Sequence, residues 1–94
     1  MNDFQKIRQK IFERDYFIST HAEEEMADNE LGRADIEYAI LHGRIEKRLT
    51  EDTRGTRYRI EGPARDGRTV HVLCRFQSFG NLIIITAYAL EEVL

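Results

Sequence analysis

The chain has 94 residues, of which 41% are hydrophobic and 33% are charged, a composition typical of one globular domain with a modest core. Its single proline and six glycines leave no linker at which a second domain would begin, so we expect one domain over residues 1–94. The N-terminal segment mixes charges with apolar residues, and no apolar run is long enough for a membrane-spanning helix. We therefore expect a cytoplasmic protein with no membrane partner.

The charges are distributed unevenly along the chain, whose net charge is -3. Residues 1–43 hold 5 Lys and Arg against 10 Asp and Glu, residues 44–75 hold 9 against 5, and residues 76–94 hold none against 2. The net charge argues weakly against a polyanionic partner, whereas the basic middle segment favours one locally.

The first predicted element is an amphipathic helix. Apolar residues recur at three- and four-residue steps from Phe4 to Ile11, which predicts a helix over about residues 3–13. Asn2 or Asp3 can cap its first turn. The segment YFIS that follows is expected to be a short extended connector.

The stretch STHAEEEM predicts the start of a second helix. Thr20 and Glu23 have the spacing of a capping box, with Ser19 preceding it. His21 then lies on the first turn, where the helix dipole keeps an imidazole neutral and able to accept a proton. The alternative is that His21 is an ordinary first-turn residue. The acidic run AEEEMADNE is typical of a solvated helix, with a docking site for a basic partner as the alternative.

A third helix is predicted in the segment RADIEYAILHG. Ile36 and Ile40 lie on one face, and Gly43 stands where a left-handed C-cap would end the helix. His42 is placed to interact with the C-terminal end of the helix dipole.

From Arg44 onward, apolar and polar residues alternate as in β-strands with one covered face. Three segments show this alternation: RIEKRL, TRYRIEG and TVHVLCRF. The apolar segment NLIIITAYAL is a fourth strand, and Asp-Gly and Gly-Asn pairs predict hairpin turns. The sequence therefore predicts an α+β fold in which N-terminal helices pack on a four-stranded, mainly antiparallel sheet.

The alternation also predicts a basic face of the sheet. Arg57 and Arg59 share one side of their strand, and His71 and Arg75 share one side of the next. If the helices cover the opposite side, which bears Tyr58, these residues form a surface suited to phosphate. The alternative is an ordinary solvated face.

The sequence offers little for a metal or a cofactor. The three histidines and Cys74 lack paired ligand spacing, and no glycine-rich turn is suited to a nucleotide, so we expect neither. Cys74 lies in the apolar run VHVLCRF and is expected to be a buried, inert thiol.

Five blocks together resemble a known bacterial family: STHAEEEM, ADIEYAILHGRI, RYRIEG, GRTVHVLCRF and LIIITAYAL. The resemblance covers about residues 16–90. The family consists of small single-domain proteins of unknown function, related in fold to the RelE/ParE, BrnT and MqsR toxins of toxin–antitoxin systems. It implies a curved antiparallel sheet carrying N-terminal helices, metal-independent RNA cleavage, and a cognate antitoxin as partner.

The resemblance also implies roles for individual residues. His21 matches the histidine of the family's H-A block, and the implied catalytic set is His21, Arg57 and Tyr88. The implied RNA-binding set is Arg59, His71 and Arg75. Where the family usually has arginine four residues after the histidine, this chain has Glu25. This carboxylate reverses the local charge and would repel RNA, although it would also raise the basicity of His21.

Two other classes of function stay open at this point. One is a non-catalytic protein-binding module whose acidic helices dock a basic partner. The other is a structural protein that forms a homodimer through an edge strand. The enzyme hypothesis requires His21 to lie near Arg57, Arg59 or Tyr88, whereas the binding hypotheses require no such convergence.

Overall fold

A computed structural model describes residues 1–51 and 53–91 of the chain. Its elements, in chain order, are α1 (Asp3–Phe12), β1 (Tyr16–Ile18), α2 (Thr20–Asp28), α3 (Arg33–His42), β2 (Arg44–Leu49), β3 (Arg57–Pro63), β4 (Thr69–Phe76) and β5 (Leu82–Ala89). Asp52, in the predicted β2–β3 connector, and residues 92–94 lie outside the described part. None of the described helices is long and apolar enough to cross a membrane.

The sheet is open and has five strands in the order β1-β5-β4-β3-β2. Strands β2 to β5 form the predicted antiparallel meander. The prediction of four strands was wrong, because the YFIS segment contributes the additional strand β1, which pairs parallel with β5. Tyr16 is buried in the core, so this segment gains both hydrogen bonds and apolar burial by joining the sheet.

The helices cover the sheet face that bears Tyr58, which is the condition that the predicted basic face on the other side required. Its core residues on β3 and β4 are Tyr58, Ile60, Val70, Val72 and Cys74, each at most 6% exposed. Ile7 and Ile11 of α1 and Ile36 and Ile40 of α3 pack onto the same core. Burial raises the pKa of Cys74 to about 12, so its thiol stays protonated and inert as predicted.

Two buried tyrosines tie the sheet to the helices. The Tyr58 hydroxyl donates a hydrogen bond to Asp3 of α1 at 2.8 Å. The Tyr16 hydroxyl donates to Glu37 of α3 at 2.7 Å. Burial and these carboxylates raise the pKa of each tyrosine to about 12, so both phenols remain hydrogen-bond donors.

Helix α3 approaches β3 very closely at two glycines. Gly43 has φ -102° and ψ -159°, which is extended backbone, so the predicted left-handed C-cap was wrong. A Cβ on Gly43 or on Gly62 would overlap the carbonyl oxygen of Ala39. Glycine is therefore required here for close packing, and its freedom to adopt positive φ plays no part.

Candidate active site

The sheet face opposite the helices, here called the open face, carries most of the predicted site residues. Cross-strand register places its residues in rows that run across the sheet. One row consists of Arg44, Glu61, His71 and Tyr88, on β2 to β5 respectively. The row at the other end begins with Phe17, Ile83 and Arg75. The sheet thus brings the charged and titratable side chains of the first row together near one end of the open face.

Three side chains of the first row form a hydrogen-bonded chain, here called the relay. His71 Nε2 lies 2.9 Å from Glu61 Oε2, and His71 Nδ1 lies 3.3 Å from the Tyr88 hydroxyl. The rings of His71 and Tyr88 meet edge to face with centroids 5.7 Å apart. Only 12% of the His71 side chain is exposed, so a ligand meets the relay at its two ends, Glu61 and Tyr88.

A β-bulge in β5 is what brings Tyr88 to the relay. Between Leu82 and Ile84, β5 pairs with β4 in one register, and from Thr86 onward it pairs with the register shifted by one residue. Because side chains alternate between faces, the extra residue exchanges the faces for the rest of the strand. Without it, Tyr88 would share the helix-covered face with Ile84. The bulge instead places Ala87 in the core and Tyr88 opposite His71.

Ser19 holds the bulge from the side of helix α2. Its hydroxyl donates to the carbonyl of Ile85, the extra residue of β5, at 2.9 Å. The same oxygen accepts the backbone N–H of Ala22 at 3.0 Å and so caps α2. The predicted capping box at Thr20 was therefore wrong, because Ser19 occupies the N-cap position. One hydroxyl starts the helix and fixes the strand that positions Tyr88.

Replacing Ser19 by alanine is expected to lower the free energy of unfolding by about 1–2 kcal/mol, because both hydrogen bonds of its hydroxyl are lost. Thr20→Ala is the matched control, since Thr20 is exposed and does not cap the helix. Urea unfolding of both variants measures the difference. Equal midpoints for the two variants would contradict the assignment of Ser19 as cap and bulge contact.

Ion pairs surround the relay on β2 and β3. Arg59 holds Glu46 through two hydrogen bonds, Nε to Oε2 at 2.6 Å and Nη2 to Oε1 at 3.2 Å. Arg44 Nη2 lies 3.2 Å from Glu61 Oε1. The hydrogen bond from Arg59 lowers the pKa of Glu46, and the contact with Glu46 raises the pKa of Arg59. The two arginines and two glutamates have no net charge. Arg59 keeps N–H groups beyond the two that hold Glu46, and a phosphate would bind through these.

The carboxylate of Glu61 is positioned to stabilise a positive charge on His71. The hydrogen bond from His71 and the charge of Arg44 lower the pKa of Glu61, which keeps it ionised. An ionised Glu61 accepts a hydrogen bond from Nε2–H, which leaves Nδ1 as the acceptor for the Tyr88 hydroxyl. In this tautomer a proton can pass from Tyr88 to His71. The relay therefore has the arrangement of a general base and the group that orients it.

A cavity of about 340 Å³ opens at the Glu61 end of the relay. Arg44, Glu61, Pro63 and Thr69 contribute to its lining, together with His42 at the end of α3. Its size is within the roughly 300–1,000 Å³ found for small-molecule sites. Within residues 1–51 and 53–91, no three His, Cys, Asp or Glu side chains are grouped so as to hold a metal ion.

His21 lies on the exposed first turn of α2 and is not a member of the relay. Its Nε2 is 3.2 Å from Glu25 Oε1, and 66% of its side chain is exposed. The same Glu25 oxygen accepts the backbone N–H of Ala87 at 3.2 Å. Among the described residues, no hydrogen bond or ion pair joins His21 to Arg59 or Tyr88. The structure thus brings together Tyr88, His71 and Arg59, while the catalytic role of His21 stays a prediction.

Helix α2 also satisfies the edge of β5 that β1 leaves open. Glu25 accepts from Ala87, and the Asn29 side-chain oxygen accepts from the backbone N–H of Ala89 at 3.2 Å. Arg68 donates to the carbonyls of Asn29 and Glu30 at the end of the helix. Glu25, which replaces the arginine that the resemblance implies, therefore has a structural contact. An arginine could not accept this strand N–H.

Arg57 and Arg75, the other predicted cationic residues, lie towards the opposite end of the open face. Arg57 is paired in register with Leu49, and Arg75 is paired with Ile83. Arg57 lies four residues from Glu61 on β3, and Arg75 lies four residues from His71 on β4. The predicted residues therefore divide into a relay end, with Arg59, His71 and Tyr88, and a basic end, with Arg57 and Arg75.

Two residues that matter for this geometry, Glu61 and Glu46, were not assigned a role from sequence. Ser19 was predicted to help start α2, but its contact with Ile85 was not predicted. Alternation placed Glu61 on the same side of β3 as Arg59, so its location could be predicted. Its pairing with His71 depends on the register of the β3–β4 hairpin, which alternation alone does not fix.

Comparison with known proteins places the chain in one family. Residues 18–89 match the family model described as a domain of unknown function, DUF4258. No curated protein and no solved structure matches the chain. The match spans well over half of the 94 residues and contains α2, α3 and strands β2 to β5, including the whole relay. The chain therefore belongs to the DUF4258 family, whose function is unknown.

Proposed function

We propose that this chain is a toxin-type RNA endonuclease, related to the RelE/ParE, BrnT and MqsR toxins, whose reaction needs no metal. The observation that supports the proposal best is the relay, in which His71 lies 2.9 Å from Glu61 and 3.3 Å from the Tyr88 hydroxyl on an open sheet face. Such a set of groups supplies the proton transfers that RNA cleavage by its own 2′-hydroxyl requires.

In the proposed reaction the ribose 2′-oxygen attacks the adjacent phosphorus and the bond from phosphorus to the 5′-oxygen breaks. The Tyr88 oxygen takes the 2′-hydroxyl proton as its own proton passes to His71 Nδ1, and Glu61 stabilises the imidazolium. The relay then returns a proton to the departing 5′-oxygen. The products are a 2′,3′-cyclic phosphate and a 5′-hydroxyl, and the relay ends in its starting state.

Positive charge at the phosphate is the second requirement of this reaction, because negative charge increases on its oxygens in the transition state. Arg59 is a permanent cation on the same face, paired in register with Leu73, two residues from His71. Its guanidinium keeps further N–H donors beyond the two that hold Glu46. Glu46 fixes the orientation of Arg59, so the donors are arranged before the substrate binds.

The test is cleavage of an end-labelled RNA of mixed sequence by the purified protein in excess EDTA, with and without ribosomes. We expect products that end in 2′,3′-cyclic phosphate and 5′-hydroxyl. The same RNA with 2′-O-methyl groups serves as the matched control and should stay intact, because its nucleophile is blocked. Cleavage of the methylated RNA, or 5′-phosphate ends, would contradict the proposed chemistry.

Absence of cleavage under both conditions would favour the competing hypothesis of a non-catalytic protein-binding module. In that case Glu23, Glu24 and Asp28, which are exposed on α2, are the side chains available to a basic partner. A cognate antitoxin is the partner that the toxin proposal itself implies. If this chain cleaves RNA and has an antitoxin, we expect the antitoxin at equimolar concentration to suppress the cleavage.

A further inference from the structure

The open face carries an exposed aromatic ring at the end remote from the relay. Phe17 is the middle residue of β1, and its neighbours Tyr16 and Ile18 turn towards the helices. The ring is 64% exposed, although the surrounding strand is part of the sheet. A large apolar side chain held on a rigid strand and exposed to solvent loses the free energy of burial unless a ligand covers it.

Register places a cation in the same row as this ring. Phe17 is paired with Ile83, and Ile83 is paired with Arg75. Neighbouring strands lie about 4.8 Å apart, so the backbones at Phe17 and Arg75 are separated by roughly 10 Å. Ile83 lies between them and provides an apolar floor. The row therefore places a stacking surface and a guanidinium side chain two strands apart on the same face.

The charge of the open face is complementary to a polyanion at this end. Near the relay, the cations Arg44 and Arg59 are paired with the carboxylates Glu61 and Glu46. No carboxylate is paired in register with Arg75 in the described sheet, where its β5 partner is Ile83. A phosphate chain lying on the open face would therefore gain most of its electrostatic attraction at the Arg75 end.

We propose that Phe17 and Arg75 form a nucleotide-binding subsite in which an unpaired base stacks on the Phe17 ring and its phosphate contacts Arg75. The proposal rests on the proposed RNA substrate and adds where its chain binds outside the reacting bond. Aromatic side chains on a sheet bind bases whose edges are free, so this subsite selects unpaired RNA over a duplex.

The distance from the subsite to the relay suits a short stretch of extended RNA. Arg75 lies four residues from His71 on β4, or about 13 Å at roughly 3.3 Å per residue. An RNA chain held at Phe17 and cleaved at Tyr88 would cross the row that contains Leu73 and Arg59. Binding at the subsite thus delivers a phosphate near the relay without occupying it.

The test is fluorescence anisotropy with a labelled, mixed-sequence 2′-O-methyl RNA, which binds but cannot be cleaved. We expect Phe17→Ala to weaken binding by about 5- to 100-fold, as the loss of one stacked base does. Phe17→Tyr should bind within about twofold of the parent chain, because it retains the ring. Phe12→Ala is the matched control, since Phe12 is 75% exposed at the end of α1 on the other side of the sheet.

Arg75→Gln provides an independent variant. It should weaken binding and reduce the slope of log affinity against log salt by about one, as expected for a lost phosphate contact. Unchanged binding by Phe17→Ala would overturn the subsite. Equal or tighter binding of the same sequence as a duplex would overturn it as well, and so would an absence of binding by the parent chain.

Tyr88→Phe distinguishes RNA binding at the subsite from RNA cleavage at the relay. It should bind the methylated RNA normally while failing to cleave unmodified RNA. Binding that depends on Phe17 in a chain without cleavage would overturn the proposed enzyme and retain the subsite. Cleavage by the relay with unchanged binding by Phe17→Ala would overturn the subsite and retain the enzyme.

Discussion

Replacing His71 by alanine is expected to lower the rate of RNA cleavage by about 10²- to 10⁴-fold, the usual contribution of a general acid or base. His71 contacts both other members of the relay, so its loss separates Tyr88 from Glu61. His71→Gln keeps a similar volume on β4 and should show the same loss. Single-turnover rates with labelled RNA in excess EDTA measure the effect.

His21→Ala, measured alongside, shows which of the two candidate histidines takes part in cleavage. The side chain of His21 is 66% exposed and contacts Glu25 outside the relay, so a reaction carried by the relay alone predicts cleavage within about twofold of the parent chain. Urea unfolding of each variant shows whether the fold is retained. A large loss in His21→Ala together with full activity in His71→Gln would restore His21 as the catalytic histidine and remove the relay.

Gly62→Ala is expected to cost about 3 kcal/mol or more of unfolding free energy, or to prevent folding. A Cβ at this position would overlap the backbone carbonyl of Ala39, and backbone on a packed helix cannot move aside as a flexible side chain can. Relief would require α3 to move away from β3. Urea unfolding at constant pH measures the loss, and circular dichroism reports a chain that fails to fold.

The control for Gly62 is Gly32→Ala. Gly32 has φ -94°, and a Cβ there would lie 3.7 Å from the nearest atom, the Asp35 carboxylate. We expect a cost of about 1 kcal/mol or less, from a poorer N-cap. Similar losses for the two variants would show that the approach of α3 to β3 does not require glycine at position 62.

Much of the fold could be predicted from the sequence because its elements have clear periodicity. The apolar spacing from Phe4 to Ile11 predicted a helix over about residues 3–13, and α1 ends at Phe12. Strict alternation in β3 and β4 predicted which side chains share a face of each strand, whereas it left open which of the two faces the helices cover. These patterns reflect burial directly, so local reasoning was sufficient for them.

Features that depend on contacts between distant segments were not predictable. The YFIS segment has three strand residues and no alternation long enough to separate a strand from a connector, so β1 was missed. Gly43 follows a helix, which favoured the prediction of a C-cap. Glycine is needed there because a Cβ would overlap the carbonyl oxygens of Ala39 and Glu61. Neither contact leaves a local signal in the sequence.

The candidate site was predicted in composition and only partly in arrangement. Alternation placed Arg59 and His71 on the open face, and the family resemblance named Tyr88. The segment that contains Tyr88 is apolar on both sides, so its alternation could not show the bulge at Ile85. Without the bulge, Tyr88 faces the core. The relay therefore became visible only with the register of β4 and β5.

Tyr88→Phe shows whether Tyr88 transfers a proton during RNA cleavage, as we propose. The substitution removes one oxygen atom and keeps the ring whose centroid lies 5.7 Å from that of His71. In single-turnover cleavage of an unpaired RNA in excess EDTA, we expect the rate to fall by about 10²-fold or more with unchanged binding of the 2′-O-methyl RNA. A Tyr88→Phe chain that cleaves at the parent rate would contradict the relay.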